Sequence, residues 1–177
     1  MSTTPLLRCL ALLAVPALLA GCGASSGPAQ PPPCPRVAIL QDAADLARFQ
    51  PGGGTDITDM VVEARLIGVS GGCQARRGGT VEVTIRVGIE ATRGPRATGR
   101  AEQLPYFIAV TDAAGRVVDK AEFAVSVEFP ANVSRRRGSD EQRLVIPSGM
   151  NPADLRVDIG FQLTPDQVAL NRRRAAR

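Results

Sequence analysis

Histidine is absent from the 177 residues, and that removes most nucleophilic and metal chemistry at once. Ser-His-Asp and Cys-His triads, histidine general bases and the usual zinc sites all need it. Ser/Lys catalysis would have to use Lys120, the only lysine. It sits beside Asp119 and Glu122 on an expected hairpin and reads as surface charge. Paired carboxylates are the acid–base route that remains. Asp42/Asp45 and Asp56/Asp59 are the candidates, and each pair falls at an expected turn or helix start, where such side chains bond the backbone. Asp56 and Asp59 lack the spacing of a calcium loop. Carbohydrate clefts usually offer aromatic platforms, and here there are one tyrosine, five phenylalanines and no tryptophan. Gly52, Gly53 and Gly54 lack the lysine that follows in a phosphate-binding loop, so they read as a connector. No catalytic residue, metal ligand or cofactor is expected, and the chain is read as not an enzyme.

The four cysteines divide by position. Met1 to Arg8 is short and polar with one positive charge, and Cys9 to Ala20 is apolar without charge. That stretch is shorter than the ~20 residues a bilayer span needs and has the length of a signal-peptide core. It closes on Leu19, Ala20, Gly21 and Cys22, which resembles the lipobox of bacterial lipoproteins. The resemblance implies that residues 1–21 are cleaved and that the Cys22 thiol is acylated. Two or three chains at ~0.8 kcal/mol per buried methylene make a stable membrane anchor. Cys34 and Cys73 are then left as an even pair in an oxidising compartment, and a disulfide between them is expected. Residues 22–33 are the acylated cysteine and a tether, Gly23 to Pro33, which ends in three prolines and spans about 30 Å if mostly extended at ~3.1 Å per residue. Residues 34–177 are enough chain for one domain with its own core.

That domain reads as short strands between turns. Arg36 to Leu40 is a first strand. Asp42 to Phe49 predicts two helical turns with Asp42 as N-cap. Met60 to Val69 is a strand whose alternation breaks at Gly68, as at a bulge. Gly71 to Cys73 and Arg76 to Gly79 form the connection that follows. Val81, Val83, Ile85, Val87 and Ile89 then alternate with Glu82, Thr84, Arg86 and Glu90, the pattern of a half-buried antiparallel strand. Leu104 to Thr111 is apolar on both faces, with Tyr106, Ile108 and Val110 opposite Phe107 and Ala109. Asp112 to Gly115 is a tight turn. Arg116 to Asp119, Ala121 to Phe129, Leu144 to Ile146 and Leu155 to Leu163 complete the strands. Thr164, Pro165 and Asp166 open a C-terminal helix of about two turns, on which Val168 and Leu170 dock; either they cover Phe107, or the helix points away and Phe107 is an exposed partner patch. Seven or eight such strands predict a mostly β fold: an antiparallel, immunoglobulin-like sandwich with a short C-terminal helix, or failing that a barrel.

Three segments carry a resemblance: Asp56 to Cys73 (DITDMVVEARLIGVSGGC), Leu104 to Lys120 (LPYFIAVTDAAGRVVDK) and Gly160 to Arg174 (GFQLTPDQVALNRRR). They look like a group of uncharacterised proteobacterial lipoproteins. The resemblance implies a Gram-negative envelope, and Gly23 after Cys22, where an aspartate would favour the inner membrane, tilts the expected address to the outer membrane, facing the periplasm.

Removing residues 1–21 takes Arg8 from a formal charge of +4 and leaves +3. Arginine, rather than lysine, carries nearly all of the positive charge. Two clusters stand out, Arg135, Arg136 and Arg137, and Arg172, Arg173 and Arg174, either solvated or set to meet anionic envelope polymer or headgroups. Nucleic acid is not expected outside the cytoplasm. Asn132, Val133 and Ser134 match a glycosylation acceptor by chance. The expected function is a membrane-anchored, non-enzymatic binding or scaffolding module for an envelope protein or polymer. The alternatives are a carboxylate-dependent envelope hydrolase and an anionic-polymer binder. Phe107 and the two arginine clusters are the candidate partner-binding residues.

Overall fold

The structure is a computed structural model that describes residues 32–176. The expected signal segment, Cys22 and nearly all of the tether lie outside the described residues. Among these residues eight strands form two four-stranded sheets facing each other, and a helix follows them. The strands are β1 (Arg36–Ile39), β2 (Asp45–Phe49), β3 (Met60–Ala75), β4 (Val81–Arg93), β5 (Ala101–Thr111), β6 (Val117–Glu128), β7 (Arg135–Ile146) and β8 (Arg156–Phe161); the helix is α1 (Pro165–Ala175). One sheet has the order β1-β8-β5-β6 and the other β2-β3-β4-β7. All pairings are antiparallel except β1 with β8. The fold is therefore the expected β-sandwich with a C-terminal helix.

Alternation builds the core. Val83, Ile85, Val87 and Ile89 of β4 face inward from one sheet, and Leu104, Tyr106 and Ile108 of β5 with Val157, Ile159 and Phe161 of β8 from the other. Each large apolar side chain removed from water contributes ~1.5–3 kcal/mol. The bulge expected near Gly68 is present: the β3–β4 register slips between Leu66 and Gly68, leaving Ile67 outside. Gly115 takes φ 77° in the β5–β6 turn, where the Asp112 carboxylate accepts the backbone N–H groups of Ala114 and Arg116. Those bonds hold the Asp112 pKa below its usual value.

Several expected boundaries are corrected. The predicted Asp42–Phe49 helix is instead a single 3-10 turn, Gln41–Ala43, followed by strand β2, and Asp42 caps nothing. Leu46 enters the core while the exposed edge of β3 offers Asp45 to Phe49 a hydrogen-bond ladder, so tertiary pairing overrides the helical spacing of Leu46 and Phe49. Gly71 to Cys73 lie within β3, paired to β4, and not in a connection. Arg116–Asp119 and Ala121–Phe129 merge into the single strand β6. Helix α1 runs 11 residues, about three turns, and the Thr164 cap is a full capping box with Gln167.

Candidate functional site

The two sides of the sandwich differ in how they close. On one side β1 lies near β3, and Cys34, just before β1, is disulfide-bonded to Cys73 of β3. The expected pair is therefore joined. On the other side the edge strands β6 and β7 belong to different sheets and pair on one flank only. The inner face of β7 turns polar at Gly138, Asp140 and Gln142, so it cannot seal that side with apolar packing. Tyr106 closes the middle. Its ring is fully buried and stacks on Phe123 of β6 at 5.4 Å. Its hydroxyl donates to Asp140 Oδ2 at 2.6 Å, and the Gln142 amide donates to the same oxygen at 3.0 Å. Burial, reinforced by the Asp140 carboxylate, pushes the phenol well above its ordinary pKa.

Beyond Tyr106, toward the β5–β6 turn, the opening is apolar apart from Asp119, and none of the described residues covers it. Val117 is 60% exposed, Val118 42%, Val145 60% and Met150 46%. Val118, Val145 and Met150 rim a cleft of about 180 Å³ whose floor includes Val110, Leu144 and Leu155. Exposed apolar side chains gathered around a concavity at two free strand edges mark a contact surface. The sequence hinted at this only through Val117 and Val118 standing side by side in a strand.

The candidate residues named from sequence fall elsewhere. Phe107 is half-buried and is not an open patch. The Lys120 ammonium lies 5.1 Å from its ring centroid, and the ring packs on Gly160, where a β-carbon would come within 3.0 Å of Phe107 and 2.7 Å of Ala43. Helix α1 sits against the Gln41–Ala43 turn and β2, and its Val168 and Leu170 are half-buried. Its anchors are amides that sequence reading missed. Gln167 Nε2 donates to Ala47 O, and Asn171 Nδ2, in a buried side chain, donates to Asp42 O and Asp45 O.

Arg135, Arg136 and Arg137 are not loop residues; they start β7, paired with Thr92, Ala91 and Glu90 of β4. Arg137 donates to Glu90 at 2.6 Å, and this holds the Glu90 pKa low. Asp45, Arg65, Glu90 and Arg137 lie in register across β2, β3, β4 and β7, so the outer face of this sheet carries a row of alternating sign. Arg174 reaches Glu63 on the same face at 3.1 Å, and Arg172 reaches Asp42 at 2.7 Å. Arg136 points to the opposite side of its strand from Arg135 and Arg137, and Arg173 is exposed. The clusters thus form a mixed-charge surface. The carboxylate pairs are similarly engaged. Asp56 accepts from the Thr58 N–H and hydroxyl, Asp59 accepts from the Gly54 N–H and faces Arg96, and Asp45 pairs with Arg65. Among the described residues no group of three His, Cys, Asp or Glu side chains is placed to hold a metal, and no helix is long and apolar enough to cross a membrane.

No family model and no curated protein matches the sequence. Among solved structures, the chain is similar to a β-glucuronidase from glycoside hydrolase family 2, at 12% identity and a TM-score of 0.34. The similarity covers 48% of this chain and 8% of the enzyme's, so it touches a small part of that protein and carries nothing about its activity.

Proposed function

We propose that this chain is a lipid-anchored protein of the bacterial envelope, on the outer membrane facing the periplasm, whose sandwich is a non-enzymatic binding module for a protein partner. The observation that carries the binding role is the uncovered apolar opening between β6 and β7, rimmed by Val118, Val145 and Met150. A partner segment in extended conformation can add to a free strand edge while its apolar side chains enter the cleft. The Cys34–Cys73 disulfide supports the address, because such bonds persist in oxidising compartments. The Cys22 anchor rests on the lipobox resemblance. The arginine clusters support polymer binding less well, since Arg135, Arg137, Arg172 and Arg174 already face carboxylates.

Two measurements test the two halves separately. Wild-type protein should fractionate with membrane and carry acyl mass, and Cys22→Ser should lose both; soluble wild-type protein without acyl mass overturns the anchor. A photo-crosslinking residue at Val145 in intact cells should capture one defined protein, and Val118→Glu should abolish the capture. Capture that Val118→Glu leaves unchanged overturns the site.

A further inference from the structure

At the opposite end of the sandwich, we infer a second binding site: a pocket built around Arg93 that takes a small polyhydroxylated oxyanion, a carboxylate or phosphate. It goes beyond the partner-binding reading and stands without it. The cavity, about 540 Å³, is lined by the end of β4 and its following loop (Arg93, Gly94, Pro95, Ala97) and by the loop before β7 (Asn132, Val133, Ser134). That volume lies within the range of small-molecule sites.

The lining holds one cation and no acid. Arg96 and Arg135, on either side, face Asp59 and Glu90. Among the described residues no carboxylate pairs with Arg93. Its Nη2 donates to the Ala97 carbonyl at 3.0 Å, and its Nε is buried without an acceptor. A buried guanidinium N–H left unpaired is unfavourable, and in this proposal an oxyanion beside the guanidinium supplies the acceptor that Nε lacks. Arginine matches carboxylate and phosphate through its planar fork of donors. Around it, the Asn132 amide and Ser134 hydroxyl are suited to ligand hydroxyls.

The surroundings are fixed in advance. The Arg93 N–H donates to Ser134 O at 2.7 Å, joining the two lining segments. Gly94 donates to Val61 O and Arg96 to Met60 O. A β-carbon on Gly94 would fall 2.1 Å from Met60 O, so only glycine lets the loop lie this close to β3. Asn132 is held at φ 64°, the one non-glycine residue at positive φ among the described residues. The turn is closed by the Val133 N–H donating to Pro130 O, and asparagine tolerates positive φ at its third position.

The test titrates the full chain in detergent with gluconate, glucose 6-phosphate, inorganic phosphate, acetate and neutral glucose, by calorimetry and amide NMR. Gluconate or glucose 6-phosphate should bind saturably, moving the amides of Gly94, Ala97 and Val133, and glucose should not. Which of the two binds tells carboxylate from phosphate; phosphate or acetate alone should bind more weakly than its sugar-borne form. Arg93→Gln should weaken binding at least tenfold. Asn132→Gly keeps the backbone conformation and removes the amide, so it decides the question if Arg93→Gln does not fold; it should weaken binding at least threefold. The inference is overturned if neither sugar anion binds, if glucose binds as well, or if affinity stays within twofold in the folded variants.

Discussion

The two flanks of this sandwich are closed by different means. On the β1–β3 flank a disulfide, a parallel strand and a helix converge, and the helix is fastened by side-chain amides to backbone carbonyls of β2 and the turn before it. On the β6–β7 flank one tyrosine reaches one aspartate, and apolar side chains stand in the open beyond. Covalent and buried polar bonds fix one arrangement, whereas an uncovered apolar rim has its best contacts still to make. The comparison teaches that stability and binding are separated across this fold. Residues of the first flank should therefore govern unfolding, and residues of the second should govern association.

The largest expected effect is loss of the disulfide. Cys34 and Cys73 are 39 residues apart, and closing a loop of that size stabilises by ~4 kcal/mol on the chain-entropy estimate. Cys34→Ala with Cys73→Ala should lower the melting temperature by roughly 10 °C, at ~2–4 °C per kcal/mol for a domain of this size. Melting curves that superimpose would show that the flank is held without the bond.

Asn171→Ala comes next. Its buried amide gives one N–H each to the Asp42 and Asp45 carbonyls. Removal leaves both acceptors facing a small void and should cost about 2 kcal/mol by urea denaturation. A cost below ~0.5 kcal/mol would mean that apolar contacts of the half-buried Val168 and Leu170, and not the amide, hold the helix.

Tyr106→Phe probes the bridge of the open flank and should cost about 1 kcal/mol, because Gln142 still donates to Asp140. Its pH signature is sharper. A tyrosine in the unfolded chain ionises near pH ~10, while the folded environment raises the value. The neutral phenol therefore contributes in full below pH ~10, and the contribution is lost as pH rises toward the folded value. Wild-type stability should fall above pH ~10, and Tyr106→Phe should lack that slope. As Tyr106 is the sole tyrosine, its ultraviolet titration reads the folded value directly. A phenolate forming at the ordinary value would place the hydroxyl in water and remove the bridge.

What could be read from sequence was what repeats along the chain. The alternation of Val81 to Ile89 and the Thr164, Pro165, Gln167 start signal name their elements without help from the rest of the fold. Strand β7 was legible only at Leu144 to Ile146. Its earlier part puts Arg135, Arg137 and Glu141 on one face and Gly138, Asp140 and Gln142 on the other, so no hydrophobic period marks it, and pairing with β4 makes it a strand. Likewise Asp45 to Phe49 carries helical spacing but sits at a sheet edge. The candidate opening depends on which strands end up as edges, which is a property of topology. Arg93 looked like one arginine among many until the carboxylates around its neighbours were placed.

The smallest expected effect on stability is the one that defines the comparison. Val118 and Val145 are substantially exposed, on strands whose inner residues carry the packing. An exposed valine changed to serine removes apolar surface that water already covers, so Val118→Ser with Val145→Ser should shift stability by no more than ~0.5 kcal/mol. Beta propensity falls slightly with serine, but β6 and β7 keep their pairing to β5 and β4. Binding should respond in the opposite way. If a partner buries both side chains, their loss removes ~1 kcal/mol or more each from association, and the crosslink at the opening weakens while the melting curve stays still. A double variant that melts several degrees lower would show that these valines pack in the folded state. The open flank would then be closed, and the division between the two sides of the sandwich would disappear.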